Sequence, residues 1–509
     1  MTEASLSPVV QAMLRPEFYP HPVQGEVELL QTHVSYVFLT GDYVYKVKKP
    51  VNYGFLDFSD LPKRQHFCHE ELRLNKRGAA DLYLEVVSIG QSGDTFTLGS
   101  GEPVEYAVKM KQFPQSALLS EMFDRGEVTT GTMVDLAKVV ARFHAKSDSN
   151  DHIRTYGTVE KIRQAFDENY EQSAGFVAML PNGGPQTQKQ FDETKAYSDR
   201  IFAENADLFV DRVKADKIRE CHGDAHLRNI AMWNGAITLF DCIEFNEPFR
   251  FVDTMYDLGF ICMDLDARKR PDLANALLNA YLEQTGDWEG LQVLPLYLSR
   301  QAYVRAKVTS FLLGDPSVPD AVKQDAANTA ADYYKLSWEY TAPKTGKLIV
   351  MAGLSGSGKS TTAKQLAQKH NAIHLRSDAV RKHLGGISVE ERGDATLYTP
   401  EMTQKTYDRL LSLGKTLVET GYTVILDAKY DRVALRAGAI AAGATILHCD
   451  APAEVLTARV AARTGDIADA TPEVLAQQTM EAFTEAERSS VKTIDTTQDI
   501  EAQLKSLGF

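Results

Sequence analysis

Cysteine is scarce and scattered in this chain: Cys68, Cys221, Cys242, Cys262 and Cys449 never fall in a CxxC or Cys/His ligand spacing. That pattern excludes a disulfide framework and a zinc site as organising devices, and a reducing cytoplasm fits it best. Long apolar runs are missing as well. No 18 consecutive apolar residues occur, and the nearest approach, Val433–Cys449, is interrupted by Arg436. Met1–Leu14 has no basic stretch ahead of an apolar core, so neither a signal peptide nor a membrane span is expected. Internal repeats and low-complexity tracts are absent too. Positive charge is short, with 55 Lys and Arg against 69 Asp and Glu, and the deficit is uneven. Residues 347–509 carry 19 against 20, leaving 36 against 49 for residues 1–346. The N-terminal part is therefore not expected to bind nucleic acid broadly. What remains is ordinary globular composition, 44% hydrophobic over 509 residues, enough for two or three domains.

The most informative stretch is His222-Gly-Asp-Ala-His-Leu-Arg-Asn229, followed by Asp241 twelve residues later. An Asp with an Asn five positions on lets one loop supply a carboxylate near an acceptor hydroxyl and an amide oxygen for Mg²⁺. Between Asn229 and Asp241 lie two short apolar runs, Ile230–Trp233 and Ala236–Phe240, joined by Asn234-Gly235, a pair suited to a tight hairpin. Asp241 then stands at the hairpin exit, where a carboxylate holds a second side of Mg²⁺·ATP. Upstream, Glu26–Thr32, Tyr36–Thr40 and Tyr43–Val47 read as strands around Gly41-Asp42, Pro62–Lys76 as a helix and Val104–Met110 as a further strand. Lys46 is the expected phosphate-neutralising lysine, with Lys48 its rival, and Glu70 and Glu71 are the carboxylates available to hold it. No GxGxxG loop precedes Lys46, which leaves Thr32–Ser35 as the phosphate cover. Lys111–Pro114 is the expected connector to a helical second lobe, where Met133–Lys146, Val159–Gln172 and Asp192–Lys214 show helical spacing. Asp253 and Asp257 are read as braces of the catalytic loop.

With those residues in view, HGDAHLRN…DCIEFN resembles the catalytic loop and metal aspartate of aminoglycoside phosphotransferase-like kinases over residues 25–335. The resemblance implies that Asp224 is the catalytic base, that Asn229 and Asp241 bind Mg²⁺, and that Glu71 partners the lysine. The longer pattern through Asp253 and Tyr256-Asp257-Leu258 resembles a subgroup fused to a P-loop kinase.

Residues 339–346 lose periodicity and contain Pro343 and Gly346, as a linker does. The strand run Lys347–Met351 leads into Gly353-Leu-Ser-Gly-Ser-Gly-Lys-Ser360, a full GxxxxGK[ST] loop, and then the helical Thr361–His370. Successive backbone N–H groups of Gly353, Ser355, Gly356, Ser357, Gly358 and Thr361 are expected to face phosphate, with Lys359 reaching the β/γ-phosphates and Ser360 holding Mg²⁺. The strand Ala372–Leu375 delivers Asp378 and Arg381 to one cleft, Arg381 pairing with an anionic group of the acceptor. Thr423–Leu426 delivers Asp427, a Walker-B-like metal or acceptor position. With Ala444–His448 and Val491–Ile494 the pattern gives a five-stranded parallel sheet. Arg459 and Arg463, four apart, are expected to share a helix face and close as a lid. DxxR plus an arginine lid resembles the zeta-toxin, polynucleotide-kinase and small-molecule P-loop kinase group over residues 345–509. That resemblance implies that Asp378 binds the acceptor or acts as base and that both arginines are lid residues.

The expected architecture is an α+β bilobal protein-kinase-like domain (1–338), a linker (339–346) and an α/β P-loop domain with a parallel sheet (347–509). The expected activity is transfer of the γ-phosphoryl of ATP, with Mg²⁺, to hydroxyls of small-molecule acceptors at both sites, in the cytoplasm and away from membranes. Competing readings are a nucleotide-binding regulatory or toxin-like protein, and a polynucleotide 5′-hydroxyl kinase in the C-terminal domain, where nucleic acid remains a possible partner.

Overall fold

The computed structural model describes residues 6–177, 179, 184–316 and 318–509. The chain falls into two compact units: Met1–Val128 with Arg142–Ala165 and Phe209–Ile261, and Thr129–Ala141 with Phe166–Leu208 and Cys262–Phe509.

The first unit is built on a six-stranded antiparallel sheet in the order β1-β2-β3-β6-β4-β5. Its strands are β1 Glu28–Gln31, β2 Ser35–Leu39, β3 Tyr43–Lys48, β4 Tyr83–Ser92, β5 Thr95–Leu98 and β6 Glu102–Lys111. Alternation sends Phe38, Tyr45, Val47, Ile89 and Ala107 to one buried face. On the other face lies the helix Leu61–Ala79, started by the Asp60 carboxylate accepting from the Lys63 N–H at 2.9 Å. Cys68, Leu82, Tyr83 and Val108 form the core there. The rest of the unit carries β7 Ile218–Glu220, β8 Ile230–Trp233, β9 Ala236–Leu239 and β10 Phe251–Asp253. The hairpin between β8 and β9 turns on Asn234 (φ 50°) and Gly235 (φ 76°), the two left-handed positions that a two-residue loop of this twist requires.

The second unit contains the parallel sheet β12-β13-β11-β14-β15, formed by β11 Leu348–Ala352, β12 Ile373–Arg376, β13 Val424–Asp427, β14 Thr445–Asp450 and β15 Val491–Asp495. All of β11 is buried, because helices cover both faces and the strand reads as one apolar run. The same unit includes the helices Gln188–Glu204, Pro271–Thr285, Leu294–Ser310 and Asp320–Tyr340. The single helix expected over Asp192–Lys214 is two. Asn205, at φ −126° and ψ 29°, breaks it into Gln188–Glu204 and Ala206–Lys214, and the two compact units divide between residues 208 and 209. Among the described residues no helix is long and apolar enough to cross a membrane.

Candidate functional site

In the first unit, β3 and the helix Leu61–Ala79 bring three charged groups together. Lys46 Nζ ion-pairs with Glu71 Oε1 at 2.8 Å and donates to Asp241 Oδ1 at 2.6 Å. Lys48, two residues on and facing the same way, donates to the other Glu71 oxygen at 2.8 Å and also to Glu244. The two lysines are not equivalent, however. Lys48 is 1% exposed and closed in, whereas Lys46 lines a cavity of about 370 Å³ together with Asp224 and Asp241. Burial alone would raise the Asp241 and Glu71 carboxyls, but Lys46 at Asp241, and Lys46 with Lys48 at Glu71, outweigh it and hold both below their ordinary values. Glu244 goes the other way, raised by burial against Lys48. Glu70, the alternative to Glu71, turns instead to Arg73.

The loop carrying Asp224 is tied down at several points. Asp257 accepts from the His222 N–H at 3.1 Å and the Gly223 N–H at 2.8 Å, and its carboxylate also meets His144 Nε2 at 2.9 Å. This is the bracing read for Asp257, while Asp253 is engaged by Arg212. His222 Nε2 lies 2.8 Å from the Phe240 carbonyl, which ties the loop to the hairpin exit. Asn229 Nδ2 donates to the Asp224 carbonyl at 2.9 Å and to Asp224 Oδ2 at 3.2 Å, which fixes the two side chains side by side. Asp241 sits in the left-handed region at φ 64°, a strained conformation for a residue with a Cβ, held where its N–H donates to the Tyr83 hydroxyl at 3.3 Å. Thr32, Val34 and Ser35 line the cavity on one side and Lys111, Gln112 and Phe113 on another, the segments expected for phosphate cover and inter-lobe connector. The half-exposed Asp241 carboxylate on the cavity wall, and the oxygen of the buried Asn229 amide beside Asp224, are hard oxygen ligands of the kind that suits Mg²⁺.

In the second unit, β11 runs into the GxxxxGK[ST] loop and the helix Lys359–His370. Gly356 (φ 81°) admits no side chain: a Cβ there would lie 2.5 Å from the Leu456 carbonyl oxygen. Lys359 is folded onto the loop, Nζ donating to the Leu354 carbonyl at 2.7 Å, and burial lowers its pKa. Ser355 is held by a residue absent from the sequence reading. Gln478 accepts from the Ser355 N–H at 3.0 Å and donates to its hydroxyl at 3.1 Å. Ser357 is buried, Ser360 half-buried and Thr361 exposed at the helix start. Asp427 ends β13 and pairs with His374 Nε2 at 2.9 Å; burial would raise its carboxyl, yet His374 and nearby cations bring it to about 2. Asp427 and Ser360 offer the oxygen donors Mg²⁺ prefers.

Three side chains stand differently from the sequence reading. Arg381, expected to meet an acceptor anion, is buried, donating to the Leu397 carbonyl at 2.8 Å and stacking over the Tyr398 ring. Arg459 and Arg463 do not share a helix face, because the helix Ala453–Ala461 stops first. Arg459 braces the phosphate loop instead, donating to the Thr496 hydroxyl at 2.8 Å and the Gly356 carbonyl at 3.3 Å, while Arg463 faces Asp466 at 3.9 Å. Arg376, which no motif marks, lies next to Asp378 and reaches Glu283 and Asp466. The signal for it was there: His374 and Arg376 are polar residues at alternate positions of a buried parallel strand, which apolar packing alone does not call for.

Residues 348–484 match the family AAA_33, described as an AAA domain. Among solved structures, the choline/ethanolamine kinase family protein of Mesorhizobium loti is 12% identical, covering 66% of this chain and 99% of its own, with a TM-score of 0.40. A sugar kinase from Janibacter sp. is 24% identical, covering 32% of this chain and 92% of its own, with a TM-score of 0.25. Among whole-chain relatives, "Uncharacterized protein Rv2004c" of Mycobacterium tuberculosis and "Uncharacterized protein Mb2027c" of Mycobacterium bovis are each 30% identical over 470 residues, 90% of both chains. An α+β half followed by a P-loop half, this chain belongs to the family that includes Rv2004c.

Proposed function

We propose that the protein is an ATP-dependent phosphotransferase with two sites, each moving the γ-phosphoryl group to a hydroxyl of a small molecule. The observation that carries the reading is Lys46, held between Glu71 and Asp241 in a cavity that also presents Asp224. A lysine so fixed neutralises nucleotide phosphates, and the backbone of Lys111–Phe113 meets the base. Asp224 takes the acceptor proton as the acceptor oxygen bonds to the γ-phosphorus and the bond to the ADP oxygen breaks. Asn229 and Asp241 would hold Mg²⁺ there, and Ser360 and Asp427 in the P-loop half; the ion supplies charge neutralisation on the phosphates.

In the P-loop half the loop amides and Lys359 bind phosphate, Asp378 orients the acceptor hydroxyl, and Arg463 is the arginine left to meet transferred charge. The near-balanced charge of residues 347–509 favours small acceptors over a polynucleotide end. The cysteine usage fits a cytoplasmic setting.

The test is an acceptor screen with γ-labelled ATP on the wild type, Asp224→Asn and Lys359→Ala. Asp224→Asn should lower one set of labelled products by ~10²–10⁴-fold and leave the other set intact; Lys359→Ala should do the reverse. Labelled products that survive both substitutions together would refute the assignment.

A further inference from the structure

An aromatic cluster that the catalytic reading does not use borders Asp224. Phe55 stacks on Tyr53 with ring centroids 6.2 Å apart, and lies 6.2 Å from Phe245 and 6.3 Å from Phe249. Phe245 and Phe249 meet edge-on at 6.4 Å. Large apolar side chains are normally covered, yet Tyr53, Phe55 and Phe249 are 50%, 51% and 37% exposed, side by side. The cluster is continuous with the catalytic cavity at two points. Phe245 lines that cavity together with Asp224. On the other side the Phe249 backbone abuts the catalytic loop so closely that a Cβ on Gly223 would lie 2.8 Å from the Phe249 carbonyl oxygen. The shelf is also held in shape, since the Asn246 amide donates to the Phe55 carbonyl at 2.9 Å and Phe58, fully buried, supports Phe245 from behind at 6.4 Å.

We propose that Tyr53, Phe55, Phe245 and Phe249 form the acceptor subsite of the kinase-like half, and that its acceptor is a hydroxyl compound carrying an aromatic or flat apolar face. This rests on the phosphotransferase reading of that half. Aromatic rings also bind organic cations through their faces, which makes choline the competing probe. Two of the carboxylates flanking the shelf are ion-paired, Glu244 with Lys48 and Asp57 with Lys63, and a third, Glu247, is hydrogen-bonded to His152 and Tyr156. An apolar ring laid on Phe55 and Phe249 gains contact without stranding a charge. Its hydroxyl then points to Asp224, which receives the proton as the oxygen takes the γ-phosphoryl group and ADP leaves.

The test uses the full chain and three hydroxyl probes, 2-phenylethanol, choline and glucose, with binding read by saturation-transfer NMR in the presence of ADP. Wild-type protein should bind 2-phenylethanol most tightly, and Phe55→Ala and Phe249→Ala should each weaken it by roughly tenfold. The melting temperature is the fold control; Phe55 is half-exposed, so its truncation leaves the core in place. Absence of 2-phenylethanol binding, binding that ignores both substitutions, or a Phe55-dependent preference for choline or glucose would overturn the proposal. Labelled phosphate transfer separates this from the parent reading. If 2-phenylethanol binds through Phe55 but no probe is ever phosphorylated, the shelf stands as a binding site for an aromatic ring, and its role as acceptor subsite falls with the phosphotransferase reading. If label passes only to choline or glucose, the shelf falls and the phosphotransferase reading stands.

Discussion

Asn279 Oδ1 accepts the backbone N–H of His374 at 2.7 Å, so a helix side chain completes the open edge of the parallel sheet. β12 has β13 on one side only, and an uncovered edge strand leaves a row of unpaired amides. The helix Pro271–Thr285 covers it. Asn275 and Asn279, four apart on one helix face, both donate to the Ala372 carbonyl, at 2.9 and 3.0 Å. The contact continues where His383 meets the Glu283 carbonyl at 2.8 Å and Trp288 edge-on at 5.4 Å, and where the Tyr422 hydroxyl donates to the Leu291 carbonyl at 2.9 Å.

Asn279→Ala in the full chain should therefore loosen β12. Leaving this half-buried N–H without its acceptor costs about 1 kcal/mol, and hydrogen exchange at His374 should accelerate while exchange in the central strand β11 does not. Equal protection at His374 in the variant would show that the carboxamide contributes nothing. By the same argument, residues 345–509 cut away from this helix should melt below the P-loop transition of the intact chain.

Lys46 and Lys48 should separate by substitution. Lys48 sits at 1% exposure between two carboxylates that are themselves buried. Lys48→Met leaves Glu244 buried without its cation while Glu71 keeps Lys46, a change that typically costs about 3–5 kcal/mol. Lys46→Met leaves Glu71 paired with Lys48 and should act on ATP affinity and turnover in the kinase-like half more than on stability. Urea titration together with nucleotide binding distinguishes the two; a stable, inactive Lys48→Met would reverse the assignment.

The division of labour between those lysines shows what the sequence could carry. Period-two spacing places Lys46 and Lys48 on one face of β3, and the Asp224, Asn229 and Asp241 spacing marks the loop and hairpin that meet them. Which lysine faces the cavity is decided by Glu244, 196 residues away from Lys48, and no local pattern encodes that. The phosphate loop was legible because its glycines answer a backbone requirement within eight residues. Arg459 and Arg463 misled because four-residue spacing implies a shared face only while the helix lasts, and it ends at Ala461. Gln478, Arg376 and the Asn275–Asn279 pair act across long sequence separations through single hydrogen bonds, so composition and periodicity leave no trace of their partners.

Asp378 should make the P-loop half acid-sensitive in a manner that reports its surroundings. Burial raises its carboxyl above the ordinary aspartate value; Asp427 and Asp466 push the same way, and Arg376 and Arg381 oppose them. Lys359 and Tyr398 also face it. Orienting an acceptor hydroxyl requires the ionised form, so activity falls as pH drops through a value above that of a free aspartate. Arg376→Met removes the largest opposing influence, and the acid limb should move further up in pH. Stability runs in the opposite sense. A carboxyl whose pKa is raised by folding favours the folded state below its unfolded value and loses that contribution as pH rises through the folded one. At neutral pH the ionised Asp378 is then a cost, and Asp378→Asn should melt at the same temperature as wild type or higher while losing P-loop turnover. Labelled phosphate release across pH, measured with Asp224→Asn as background, and melting curves at pH 4 and 7 supply both readouts. A limb that stays fixed in Arg376→Met, or an Asp378→Asn chain markedly less stable at pH 7, would mean that Asp378 is held as a structural carboxylate and that its charge is not what the site uses.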